Sequence, residues 1–99
     1  MFIISLKYVK PIQEVETCLE NHIKFLEKYY ASGNFICSGR KNPRIGGVII
    51  CRAKDRMEAE SIIQEDPFYK EKLAEYEVIE FVPTKYVEGF ERFIEEVYI

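Results

Sequence analysis

Residues 35–53 read FICSGRKNPRIGGVIICRA. Two short β-forming runs, 35–39 and 48–53, flank a basic loop, Arg40-Lys41-Asn42-Pro43-Arg44, and a Gly46-Gly47 pair. Strands so close in sequence pair most simply as an antiparallel hairpin. A hairpin in the middle of a chain commits the flanking segments to either side of it.

On the N-terminal side, residues 11–32 carry apolar side chains at Val15, Cys18, Leu19, Phe25, Leu26 and Tyr29, the period of one helix face. Pro11 suits the first helical turn, and Gly33 just past the end accepts the positive φ that closes a helix. Residues 2–9 read as a strand, with Phe2, Ile4, Leu6 and Tyr8 on one face and Ile3, Ser5 and Lys7 on the other. On the C-terminal side, Asp55 and Glu58 form a capping box for a second helix. Met57, Ile62 and Ile63 supply its buried side, with Ala59 near the edge. Asp66-Pro67 ends or kinks it. Residues 68–74 form a short helical piece and 75–83 a fourth strand, with Ile79 and Phe81 alternating against Val78, Glu80 and Val82.

The order is βαββαβ, a ferredoxin-like α+β domain over residues 1–84. It predicts a four-stranded antiparallel sheet with both helices on one face. The other face needs a cover, and a second subunit is the expected one. In residues 85–99 the apolar side chains Tyr86, Val87, Phe90, Phe93, Ile94 and Val97 have helical spacing, weakened at Gly89. This extension is expected to be helical and to pack on the domain or on the partner.

Ninety-nine residues make one domain with a modest core. The net charge of −3 offers no basic excess for a phosphate backbone, so nucleic acid is not an expected partner. No apolar run approaches the length of a membrane span, and the N-terminus reads as a strand rather than a signal peptide. The expected location is the cytoplasm. Cys18, Cys37 and Cys51 show neither CxxC nor ligand spacing with the single histidine. They read as three small buried hydrophobes, with a Cys37–Cys51 bridge as the alternative.

That histidine, His22, stands in the helix stripe where the pattern calls for an apolar residue. Its unperturbed pKa lies near neutrality. It is either a core polar group with a satisfied hydrogen bond or a group that handles protons. Asp66 before Pro67 is an N-cap for the next turn, and an ionised carboxylate has enough acceptor sites to orient a histidine as well. Ser38 is a polar strand end or a hydrogen-bond donor to a ligand. Arg44, with Arg40 and Lys41, is a solvated turn or an anion-binding group, beside glycines whose N–H groups an anion can approach. Tyr8 packs or lines a cavity. No metal ligand set and no dinucleotide fingerprint is present in the sequence.

His22 in a first helix, Ser38-Gly39 at a second strand, Pro43-Arg44 with Gly46-Gly47, and Asp66-Pro67-Phe68 before the last strand resemble the YciI-like, or YCII-related, family. The resemblance runs over nearly the whole core. It implies a dimeric α+β barrel of two subunits packed sheet to sheet, and a His–Asp pair at His22 and Asp66. The related superfamily includes muconolactone-isomerase-like enzymes and small monooxygenases, and a dehydrochlorinase has been placed close to the family. Many members have Ser-Gly-Pro where this chain has Ser38-Gly39-Arg40.

The expected function is that of a small enzyme acting on a small organic acid or aromatic compound by isomerisation or elimination. His22 is the expected general acid/base and Asp66 its orienting partner, with Ser38, Arg44 and Tyr8 as ligand contacts. No cofactor is expected. The alternative is a non-catalytic homodimeric module that binds an unknown small molecule, an anion being one candidate, or supports a partner protein.

Overall fold

A computed structural model describes residues 1–94. The strands are β1 (Phe2–Tyr8), β2 (Phe35–Arg40), β3 (Gly46–Cys51) and β4 (Ala74–Glu80). The helices are α1 (Ile12–Thr17), α2 (Leu19–Ala31), α3 (Arg56–Ile63) and α4 (Pro67–Lys70). All strand pairings are antiparallel, in the order β2-β3-β1-β4. This is the expected βαββαβ arrangement.

Alternation along β1 decides which face of the sheet is covered. Phe2, Ile4 and Leu6 are buried, Ile3 and Ser5 are half-buried, and Lys7 is exposed. The buried set joins Ile49 and Cys51 of β3 and Phe35 of β2 to Val15, Phe25, Tyr29, Ala59, Ile62, Ile63 and Phe68 from the helical segments. The helices therefore lie on one face. On the opposite face Ile3 is flanked by Ile50 and Ile79, and Ile79 is 45% exposed.

Several details differ from the sequence reading. The first helix is interrupted at Cys18, which adopts φ −104° and ψ 1°. The Thr17 hydroxyl donates to the Glu14 carbonyl over 2.6 Å, and the Cys18 N–H bonds back only three residues, to Val15. Such back-bonding by a β-branched residue tightens the turn. Helical bonding resumes at His22, whose N–H donates to the Cys18 carbonyl, so the apolar stripe keeps its phase across the break. Met57 is 79% exposed rather than buried, because α3 turns Ala59, Ile62 and Ile63 to the core. Asp55 caps α3 as expected, accepting from Glu58 N–H at 2.8 Å. The Glu58 carboxylate accepts from Asn34 instead of completing the box. β3 begins at Gly46, earlier than expected, and β4 ends at Glu80.

The cysteines are free, and they are not three buried hydrophobes: Cys18 is half-buried and Cys37 is exposed. In β2, Phe35 pairs with Cys51 but Cys37 pairs with Ile50, so Ile36 is an extra, bulged residue. The bulge turns Cys37 to the open face while Cys51 faces the core, which separates the two sulfurs.

In the C-terminal segment, Gly89 has φ +98° in a turn, and helical conformation is confined to residues 92–94 among those described. The Arg52 guanidinium lies over the Phe93 ring at 5.6 Å and donates to the Arg92 carbonyl. Val97, the last member of the expected stripe, lies outside the described residues.

Candidate active site

Asp66 occupies the corner between α3 and α4 and is completely buried, alone among the polar and charged side chains described. Local sequence explains its position. Pro67 has no N–H to lose at the first position of α4, and the preceding Asp66 adopts the extended conformation of an N-cap. Its Oδ1 accepts from the Phe68 N–H at 3.0 Å. That is the cap expected from sequence.

The same carboxylate is shared by two further elements. The ring of His22, from the first turn of α2, donates from Nδ1 to Asp66 Oδ1 over 2.8 Å. The hydroxyl of Tyr76, from β4, donates to Oδ2 over 2.6 Å. Three donors converge on one buried acceptor, which is the arrangement that satisfies an ionised carboxylate. With Asp66 accepting, the His22 proton resides on Nδ1. Nε2 has no protein partner among the described residues. Phe68 supports the ring from below, stacked at 4.0 Å between centroids and 7° between planes. Phe25 is tilted against it at 6.0 Å.

His22 and Phe68 form one side of a cavity of about 350 Å³. Leu6, Leu19, Ile23, Leu26 and Ile49 give it an apolar lining, and Tyr8, Ser38, Arg40 and Arg44 supply the polar groups. Sheet register explains much of this. The β2 bulge places Ser38 opposite the buried Ile49 and Arg40 opposite Gly47, so both project on the helix-bearing side. An unbroken alternation from Phe35 would have turned them away. Gly47, opposite Leu6 on β1, brings no side chain to the space between them.

All five residues expected to form a site therefore surround or support one cavity. His22 and Asp66 are bonded. Tyr8 lines the cavity and stands edge-on to Phe68 at 6.0 Å. Ser38 lines it with its hydroxyl 2.6 Å from the Tyr30 hydroxyl. Arg44 lines it with its guanidinium 3.4 Å from a Glu16 carboxylate oxygen. The Gly46-Gly47 pair is taken up by strand pairing rather than left open to an anion. A Cβ on Gly46 would lie 1.9 Å from the Leu6 carbonyl oxygen, so glycine is what lets β3 close on β1. No group of three His, Cys, Asp or Glu side chains suited to a metal ion occurs among the described residues.

Sequence reading did not single out Tyr76 or Tyr30. The available signal for Tyr76 was its alternation with Val78, which puts a phenol on the face of β4 that packs inward. Register with Leu6 confirms that face. Burial raises the Tyr76 phenol above its ordinary value, and the charge and hydrogen bond of Asp66 add to the effect. It therefore remains a donor throughout the neutral range.

With helices on one sheet face and a buried carboxylate holding a histidine over a cavity, the chain falls in a defined class. It belongs to the YCII-related domain family, whose model matches residues 1–82. Among solved structures it is similar to 5-chloro-2-hydroxyhydroquinone dehydrochlorinase from Burkholderia phenoliruptrix AC1100 in complex with 2,5-dihydroxybenzoquinone. The TM-score is 0.67 at 20% identity, covering 83% of this chain and 94% of that one. At that identity the likeness is one of fold. No curated protein matches the chain. No helix among the described residues is long and apolar enough to cross a membrane.

Proposed function

We propose that the protein is a small acid–base enzyme that moves a proton on a small organic acid or aromatic compound, by isomerisation or elimination. The observation that carries this reading is the His22–Asp66 bond of 2.8 Å beside a cavity, with Nε2 left without a protein partner. A carboxylate on Nδ1 fixes the tautomer and the ring orientation and leaves Nε2 to take or give a proton. His22 is the general acid/base and Asp66 its orienting partner. Apolar walls receive the body of the ligand, while Ser38, Arg44 and Tyr8 contact its oxygen atoms. Arg44 is suited to a carboxylate or an ionised phenol. No cofactor is invoked.

The dehydrochlorinase that shares the fold supports this choice of chemistry. Removing hydrogen chloride from a ring compound requires a base beside an apolar ring site, and both are offered by this cavity.

The test is a panel of small organic acids and hydroxylated or halogenated aromatic compounds, assayed by NMR in D₂O for deuterium incorporation and product formation. Wild type should turn over at least one class, and His22→Gln should lose about 10²–10⁴-fold in rate, the usual worth of a positioned proton-transfer group. Thermal stabilisation of both proteins by a ligand, with no turnover by either, would instead identify a binding module.

A further inference from the structure

We infer that Tyr76 is a positioning residue of this site: its hydroxyl fixes the Asp66 carboxylate that holds the His22 ring, so the working unit is a Tyr76–Asp66–His22 chain. The inference rests on the acid–base reading of His22.

The two oxygens of Asp66 are held unequally. Oδ1 accepts from both the Phe68 N–H and His22 Nδ1. Oδ2 has one partner among the described residues, the Tyr76 hydroxyl. The carboxylate torsion of an aspartate is intrinsically broad. Without the phenol, Oδ2 would be a buried acceptor with no donor, and the group could turn to bring either oxygen to the ring. With the phenol in place the plane of the carboxylate is set from β4, and the direction of the Nδ1–H bond is set with it.

The phenol is itself fixed. Tyr76 pairs with Leu6 in the sheet, and its ring meets that of Tyr69 edge-on at 5.8 Å. Tyr8, from β1, is the other titratable group acting on the phenol, and it too disfavours the phenolate. The phenol therefore keeps its proton while the imidazole gains and loses one. It also takes up part of the carboxylate's acceptor strength, which limits how strongly Asp66 draws on the ring.

Nitrogen-15-edited NMR of the His22 ring tests the inference without a substrate. Wild type should carry its proton on Nδ1, with slow solvent exchange. In Tyr76→Phe, with the fold checked by circular dichroism, the carboxylate is free to turn away from the ring and that proton should exchange at least tenfold faster. A second variant keeps the packing: 3-fluorotyrosine at position 76 is a stronger donor to Asp66 and should move the Nδ1 proton upfield. A purely structural tyrosine would change the melting temperature and leave the ring proton alone. An unchanged ring proton in folded Tyr76→Phe and in the fluorotyrosine protein overturns the inference; should Tyr76→Phe fail to fold, the fluorotyrosine protein alone decides. Neither result bears on turnover, so loss of the acid–base reading would be seen separately, as His22→Gln retaining full activity.

Discussion

Asp66 ties α4, α2 and β4 together through one carboxylate. It caps α4, holds His22 and receives Tyr76, and it is wholly buried while doing so. Asp66→Ala would leave a backbone N–H, a ring N–H and a phenol hydroxyl competing for no acceptor. Urea denaturation should show a loss of about 2–4 kcal/mol. Asp66→Asn retains one carbonyl oxygen for the cap and should lose less. A loss below about 0.5 kcal/mol for Asp66→Ala would contradict the three-donor geometry. At this scale much was legible from sequence. A lone histidine in an apolar stripe and an aspartate before proline are both visible as letters. The pairing of the two, 44 residues apart, was implied by the family resemblance, and the third partner, Tyr76, is not visible in the letters.

Individual elements owe their placement to close backbone approach and to one local irregularity. β3 meets β1 through Gly46, with no space for even a methyl group. Gly39 has nothing within 4 Å of an added Cβ. Gly46→Ala must push the two central strands apart and should cost upwards of about 2 kcal/mol, whereas Gly39→Ala should stay within about 0.5 kcal/mol of wild type. Equal effects at the two positions, measured by thermal unfolding, would refute this account of the pairing. The bulge at Ile36 is the local irregularity: it turns Ser38 and Arg40 to the cavity side and Cys37 to the open face. Periodicity revealed the helices and strands because burial on one face imposes it. It did not reveal the bulge or the break at Cys18. Each alters the backbone over one residue, too short a stretch to change a pattern read over ten.

The molecule as a whole presents two unequal faces. Ile3, Ile50 and Ile79 form a row across three strands of the helix-free face, with Val48 beside it. A sheet packed on one side only, with an apolar row on the other, is suited to a second copy of itself. Sedimentation should therefore give the mass of a dimer, and Ile50→Glu that of a monomer; a monomeric wild type would remove the proposal. Alkaline pH probes the interior. Burial, followed by the charge of Glu58, pushes the Cys51 thiol up to about 12. A group whose folded-state pKa is raised contributes stability that is intact below its unfolded value of 9.0 and declines from there through about pH 12. Denaturation at pH 10.5 should show a loss of roughly 2 kcal/mol from this group relative to pH 8, absent in Cys51→Val. The raised phenols of Tyr76 and Tyr29 add to the decline above pH 10.0 in both proteins. By itself, the sequence determined the order of elements, because hydrophobic period and capping residues are local signals, and its ordered motifs carried the resemblance to the family that implied a His22–Asp66 pair. Only the tertiary structure decided that Tyr76 completes the pair, that the bulge aims Ser38 and Arg40 at one cavity, and which sulfur meets solvent. Those outcomes depend on register and on contacts between distant strands, where a one-residue shift exchanges the inside for the outside.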